Sequence, residues 1–423
     1  MSLKIPGLRW YIATLLCLTT ALNYLDRQAL SVLAKTIQDE LKLTDIDYSY
    51  ITSAFLVSYT IMYAVGGRLV DRWGTRQSLL VFISGWSVAN AMHGLARTAL
   101  QFSVFRFILG ATEAGNFPAC VKACSEWFPM KERAMAVGIF NSGTAIGAAL
   151  AAPIVSFIAL QWGWRSAFVI SGALGALWVV VWLLVYRLPR LHPWLKAEEL
   201  AHIESGDTPQ DRGPAPQVSV RRILATREAW GCIAARAFTD PISYFFIFWT
   251  PKFLQQERGF DLVAIGKYSG IPFVALALGN LAGGLIPGLM MRRLGWTLNR
   301  SRKTTMFFAS LTMPLCLVSI IAAPGPFEAV ALISMAMFAH AAWSNVTLPA
   351  EVFPKHVIAS VSGFGGAMGG LIGAISQWAI GWTVQNVSFT PVFLVSSVMH
   401  LTGFTIVCLT IREIGKVREF PTQ

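Results

Sequence analysis

The chain has 423 residues; 55% are hydrophobic, only 13% are charged, and the formal net charge is +12. A soluble domain is about 25% charged, so an ordinary soluble enzyme is excluded. Apolar stretches of roughly 20 residues recur from end to end, each long enough to cross a bilayer core as a helix, and the short alternating strands of a β-barrel are missing.

Twelve helical spans are expected, near 10–33, 48–68, 78–96, 100–122, 136–160, 167–187, 228–254, 264–290, 303–323, 327–349, 358–381 and 390–412. The short segment before the first, Met1 to Arg9, reads as a cytoplasmic tail rather than a signal peptide, because the apolar stretch after it is too long and no small-residue cleavage site follows. With both termini cytoplasmic, most of the 34 Lys and Arg fall on the inner side, including Arg68, Arg72, Arg76, Lys131, Arg133, Arg221, Arg222, Arg292, Arg293, Arg300, Arg302 and Lys303. That asymmetry follows the positive-inside rule and argues against a nucleic-acid partner. All six cysteines fall within expected spans and read as small buried hydrophobes, not as disulfides or metal ligands.

The first span carries Asp26 and Arg27 in otherwise apolar surroundings. A charge inside a membrane helix is costly and persists mainly where function requires it. Thr20, Asn23, Tyr24, Arg27 and Ser31 form one polar stripe, expected to face a water-filled cavity. Asp26 lies about 100° around the helix from Arg27, so the two cannot point at one spot. Arg27 is expected to grip an anion with its planar fork, and Asp26 to point at a neighbouring helix as a protonatable group. The alternative is a locked ion pair to another helix. On the second span, Tyr59 and Tyr63 read as cavity lining. The loop after it runs Gly67-x-Leu69-x-Asp71-Arg72-x-Gly74-x-Arg76. Its Gly67 permits close helix approach, and its Asp71 suits a helix cap or an ion pair.

The fourth span carries Arg106 and Glu113 on one face, with Asn116 continuing it. Arg106 and Asp26 lie at similar depths, roughly 9 and 11 Å from the outer end, so Arg106 is the expected partner of Asp26. Glu113 sits near the midplane, where an unpaired carboxylate is usually protonated. After six spans comes a Pro-rich polar linker, about 188–227, with one short helix expected over Leu195–Ile203. Six further spans follow. Glu126-Trp127-Phe128-Pro129 recurs as Glu351-Val352-Phe353-Pro354, and Gly138 and Gly363 keep the same offset. Gly67 to Gly74 recurs more faintly as Gly288 to Gly295. This duplication implies residues 1–187 and 228–423 as parallel six-helix bundles with a site between them.

The seventh span carries Arg236, Thr239, Asp240, Ser243 and Tyr244 as a second stripe, with Arg236 and Asp240 able to pair at i, i+4. Two readings remain for Arg236: a ligand contact, or a side chain snorkelling to the inner interface. Pro241 and Pro251 suit a hinge. The tenth span offers His340, Trp343, Ser344 and Thr347 on one face, beside Asn345; a ring with hydroxyls suits a polyhydroxylated ligand. Gly365, Gly369 and Gly373 on the eleventh span mark close helix packing. There is no phosphate loop, no ATP-binding domain, no nucleophile–base set and no metal cluster. No cofactor or enzymatic activity is expected, and transport must draw on an ion or substrate gradient.

The loop after the second span resembles the signature loop of the major facilitator superfamily. Four stretches resemble its anion:cation symporter branch: Asn23-Tyr24-x-Asp26-Arg27, Arg106-Phe107-x-x-Gly110-x-x-Glu113-Ala114-Gly115-Asn116-Phe117-Pro118, Trp127-Phe128-Pro129-x-x-Glu132-Arg133, and Phe140-Asn141-Ser142-Gly143. Phe238-Thr239-Asp240-Pro241 with Tyr244-Phe245-x-x-Phe248-Trp249-x-Pro251 is similar to the hexuronate transporters of that branch. The resemblance implies an all-α membrane protein with the major facilitator fold, a monomer in a bacterial inner membrane, importing a sugar acid with protons. It implies Asp26 and Glu113 as proton-coupling residues. Arg27 and Arg106 are implied as substrate residues, beside Tyr24, Tyr59, Asn116, Arg236, Asp240, Tyr244, Trp343 and Asn345 from the polar faces. Gly67, Asp71, Arg72, Gly74 and Arg76 make the gating loop. Symport of another organic anion and a non-transporting membrane sensor are the competing readings.

Overall fold

In the computed structural model every regular element among the described residues is helical. The structure describes residues 4–205, 218–322, 325–343 and 347–418, apart from the side chains of Lys355 and His356. The first six long segments are α1 (Leu8–Leu41), α2 (Asp45–Trp73), α3 (Thr75–His93), α4 (Ala99–Glu113) with α5 (Asn116–Trp127), α6 (Met130–Trp162) and α7 (Trp164–Val185). A 3-10 turn at Pro189–Leu191, α8 (Ala197–Glu204) and α9 (Val220–Leu224) follow. The later segments are α10 (Arg227–Arg258), α11 (Leu262–Tyr268) with α12 (Ile271–Leu294), α13 (Leu298–Ile321), α14 (Pro326–Trp343) with α15 (Leu348–Val352), α16 (Lys355–Asn386) and α17 (Thr390–Thr410).

The helix boundaries follow local chemistry. Thr44 accepts from the Asp47 amide while the Asp47 side chain returns to Thr44, a capping box that starts α2. Thr98, Asp261 and Thr297 cap α4, α11 and α13 with their side-chain oxygens. Gly74 and Gly163, both at positive φ, turn the chain between consecutive helices. The repeated Phe-Pro pairs do the same thing twice: Pro129 and Pro354, with φ of −62° and −67°, end one helix and open the long α6 and α16. The helix expected at Leu195–Ile203 is α8, tied to the start of α1 by hydrogen bonds from the Leu8 and Arg9 amides to Glu199.

Among the described residues, eight helical segments are apolar and long enough to cross a membrane. The expected segments outside those eight are α1, α3, α4 with α5, and α10, which are helical all the same. Three of those four carry Asp26, Arg27, Arg106, Glu113, Arg236 and Asp240. α10 runs unbroken through Pro241 and Pro251.

Within each group, helices pack closely: α1 on α6, α2 on α4 and α3 on α7 in the first, α12 on α14, α13 on α17 and α10 on α16 in the second. Between groups, α1 meets α10, α2 meets α16, and α6 meets α11 and α12. Five hydrogen bonds between described residues of the two groups cluster at the end where α2 begins. They are Ile46 to Gln385, Tyr48 to Phe248, Ser53 to Ala374, Lys252 to Asp45 and Gln255 to Val32. Small residues let the helices close there: a Cβ on Gly370 would stand 2.2 Å from Thr60, and one on Gly381 2.3 Å from Ser49. At the other end, Gly67, Gly138, Gly284, Gly288 and Gly363 face open space.

Candidate functional site

Each group carries one charged cluster, the first buried and the second partly exposed. In the first, the Arg27 guanidinium donates to Glu113 Oε2 through Nη2 (2.9 Å) and Nε (3.1 Å), and to Asn23 Oδ1. Glu113 is fully buried and Arg27 is 4% exposed. The guanidinium also lies over three rings, 4.6 Å from Tyr24, 5.0 Å from Phe55 and 4.9 Å from Tyr59. Cation–π attraction of about 0.5–2 kcal/mol per ring therefore holds a charge that the ion pair alone would hold less firmly. Glu113 is the last residue of α4, and a two-residue turn, Ala114 and Gly115, separates it from α5. The approach of α4 to α2 depends on Gly110, where a Cβ would stand 2.4 Å from the Phe55 carbonyl oxygen.

The expected Asp26–Arg106 pair does not form. Asp26 turns between α3 and α7, where its Oδ1 accepts from Asn90 Nδ2 at 2.8 Å, and the same Asn90 amide reaches Ser171 Oγ. Arg106 instead donates from Nη2 to the Arg27 carbonyl oxygen (3.1 Å), and its Nε and Nη1 are buried without a hydrogen-bond partner. Helical geometry explains the exchange. Adjacent residues diverge by about 100°, and Arg27, not Asp26, faces the α2–α4 side where Arg106 and Glu113 stand. Asn116, expected to reach a ligand, donates to Thr20 Oγ1 (3.2 Å) and holds α5 to α1.

In the second cluster, Arg236 pairs with Asp240 at 2.8 Å and donates to the Ser362 carbonyl oxygen. The pair is tucked against α16: a Cβ on Gly369 would come 2.3 Å from Asp240 Oδ2, and one on Gly366 2.8 Å from Arg236 Nη1. Arg236 is thus held against α16 by Asp240 and the Ser362 carbonyl oxygen rather than extended to the inner interface. Tyr244 stacks along α10 on Phe248 and lies against α16, where a Cβ on Gly373 would come 2.5 Å from its ring.

Other expected members sit elsewhere. Trp343 is not cavity lining: its ring is 1% exposed, its Nε1 donates to Ser310 Oγ (2.6 Å), and its edge meets His400. His340 contacts His400 at 3.1 Å in the same interior. Asn345 and Ser344 lie outside the described residues. In the gating loop Asp71 pairs with Lys122 at 3.0 Å rather than with an Arg, Arg76 donates to the Leu183 carbonyl oxygen, and Gly74 turns α2 into α3. Sequence reasoning missed Lys252, a buried lysine in α10 paired with Asp45. The signal was present, since residue 252 falls inside the expected seventh span. It also missed Asn90 and Ser171, neutral residues that gain meaning only beside Asp26.

Residues 16–377 match the family model described as Major Facilitator Superfamily. The chain belongs to the major facilitator superfamily. It is a multi-pass inner-membrane transporter of this superfamily, not an enzyme. It is 35% identical to the hexuronate transporter of Escherichia coli K12, over 96% of this chain and 94% of that protein. It is 37% identical to the galacturonate transporter of Dickeya chrysanthemi, over 73% of this chain and 90% of that one. It is 30% identical to a D-galactonate transporter of Escherichia coli O6:H1, over 97% and 98%. Among solved structures, a bacterial homologue of the human lysosomal transporter Spinster superposes with a TM-score of 0.76 at 18% identity, covering 97% of this facilitator and 98% of that chain. The Escherichia coli xylose transporter XylE, in its inward open conformation, superposes at 0.73 and 18%, covering 96% and 97%.

Proposed function

We propose that this facilitator imports a sugar acid, most closely a hexuronate, together with protons, by alternating access between halves 1–187 and 228–423 joined by the linker 188–227. The observation that carries the reading is the Arg27–Glu113 pair beneath Tyr24, Phe55 and Tyr59. A planar guanidinium suits a carboxylate, and the rings suit the C–H face of a sugar. The names of the relatives, hexuronate and galacturonate transporters, support the same substrate class.

The geometry suggests the order of events. Glu113 occupies the guanidinium that a substrate carboxylate needs. Protonation removes its charge, weakens its hold on Arg27, and leaves the arginine free to take the substrate anion. Proton and substrate thereby favour each other's binding at neighbouring atoms. Arg106, with two unpartnered nitrogens, stands next to the exchange and favours an anion there. Asp26, on its separate Asn90 contact, is a second proton acceptor in this reading. Arg236 and Asp240 present the opposite wall.

Alternating access is supported by the asymmetry of the interface, joined at the Asp45 end and apart at the Gly67 end. The positive-inside rule makes the Gly67 end cytoplasmic, so the conformation described is the one facing the cell interior.

The test is uptake by the purified protein in proteoliposomes. Labelled glucuronate and galacturonate accumulate under an inward proton gradient, and a protonophore abolishes the accumulation. Accumulation that persists without the gradient sinks proton coupling. A second reading, another organic anion, is favoured by the D-galactonate and galactarate/D-glucarate relatives. Competition by unlabelled aldonates and dicarboxylates in the same assay decides it.

A further inference from the structure

Lys252 belongs to neither charged cluster. Its side chain is 0% exposed, and its Nζ meets the Asp45 carboxylate and lies 4.7 Å from the Tyr48 ring and 4.8 Å from the Trp249 ring. Those partners divide between the groups. Asp45 opens α2 and also accepts from Gln38 Nε2, so it is fixed to the first group. Trp249, next to Lys252 in α10, is held by its Nε1 to Gln377 Oε1 (2.7 Å) in the second. Among the five described hydrogen bonds that join the groups at this end, Lys252 to Asp45 is the ionic one.

We propose that Lys252 is a receiving site for the carboxylate of the incoming substrate, and that Asp45 fills it as a stand-in anion while this end is closed. When the groups part here, Asp45 and Tyr48 leave with the first, and Lys252 stays on the face of Trp249. A buried ammonium tolerates closure only with an anion beside it. The opened end therefore presents an unpaired cation beside an aromatic face, roughly 24 Å along α10 from Arg236. A small carboxylate with a sugar ring fits both features. Return of Asp45 to Lys252 displaces the carboxylate inward and restores the closed contact. The inference rests on the organic-anion reading above and adds a second stop on the same route.

The test measures initial uptake of labelled galacturonate over a concentration range in proteoliposomes. Lys252→Gln raises KM about tenfold, the change expected when one charged contact worth a decade of affinity is lost, while kcat changes little. Lys252→Arg keeps KM near that of the unmodified protein. The exchanged double variant, Asp45→Lys with Lys252→Asp, remakes the closed ion pair but offers the substrate an acid in place of Lys252, so its KM stays raised. As a measure independent of the buried exchange, added salt slows initial uptake at low substrate in the unmodified protein more than in Lys252→Gln, because screening acts on an exposed charge. Restoration of KM by the double exchange, or an unchanged KM in Lys252→Gln, overturns the proposal and reduces Lys252 to a closing contact. Absence of any sugar-acid uptake by the unmodified protein overturns the transport reading and this one together.

Discussion

Arg27 Nη2 and Glu113 Oε2 lie 2.9 Å apart between α1 and α4, both buried. Arg27, expected to grip an anion, and Glu113, expected to stand unpaired, are hydrogen-bonded to each other. A single event at Glu113 therefore reaches Arg27, the charge proposed to bind substrate, without an intermediary.

Glu113→Gln keeps a hydrogen-bond acceptor for Arg27 but can no longer take up or release a proton. Counterflow exchange of labelled substrate should survive, and gradient-driven accumulation should vanish; normal accumulation would remove Glu113 from the coupling step. Glu113→Ala leaves Arg27 buried and unpaired, a change that typically costs about 3–5 kcal/mol, to be read as a lowered Tm in detergent.

Asp26 depends on Asn90. Asn90→Leu removes the donor at 2.8 Å from Asp26 Oδ1, leaving a buried carboxylate short of a partner at a cost of about 1–3 kcal/mol or more. The double variant Asn90→Leu with Asp26→Leu removes both polar groups and should recover much of that loss. Thermal denaturation of the two proteins side by side checks this, and a double variant no more stable than the single one would mean the pair is not coupled.

The helical segments and the charged positions were legible because a hydrocarbon environment leaves little choice: only helices satisfy their own backbone, and any charge within them stands out. The pairing of those charges was not. Depth along the axis made Arg106 and Asp26 look like partners, but azimuth decides contact, and Asp26 points toward α3 and α7. Trp343 shows a related limit. Its Nε1 and ring edge satisfy Ser310 and His400 inside the second group instead of a ligand. Lys252 stands inside the expected seventh span, but only Asp45 and Tyr48 of the first group show that it is enclosed.

Gly369→Val places branched carbon where a Cβ already comes 2.3 Å from Asp240 Oδ2. Overpacking of this kind costs about 1–3 kcal/mol and should push the Arg236–Asp240 pair away from α16. Uptake should fall sharply with the protein still folded by size-exclusion and thermal melt; unchanged uptake would mean the second cluster is remote from the substrate route.

α2 and α16 run antiparallel, and their contacts advance in step: Gly381 beside Ser49, Gly373 beside Leu56, Gly370 beside Thr60. Continued along both helices, the same register sets Gly67 opposite Gly363, both now facing open space. Cysteines introduced at 67 and 363 should cross-link slowly in the conformation described and faster under conditions that open the Asp45 end. Equal rates in all conditions would exclude this closure.

Glu40, at the end of α1, accepts from Arg165 and from Trp164 Nε1, and these hydrogen bonds hold its carboxyl below the usual range against the small opposing effect of burial. A lowered folded-state pKa adds stability above the unfolded value, and this is lost as pH falls through the folded one. Glu40→Gln should therefore lower Tm slightly at neutral pH, and the difference should shrink as pH falls through the lowered folded-state value. A Tm difference that persists in acid would assign the effect to packing.

The two clusters with Asp26 beside them hold three acids, Asp26, Glu113 and Asp240, and three arginines, Arg27, Arg106 and Arg236. With all of them ionised their charges cancel. A monoanionic sugar acid arriving with one proton leaves that balance at zero, so its passage does no electrical work. Each additional proton would carry one elementary charge across the bilayer, worth about 2.3 kcal/mol per 100 mV. The side chains return to their starting positions in each cycle, so the voltage dependence of uptake gauges how many protons accompany each sugar acid in the proposed symport.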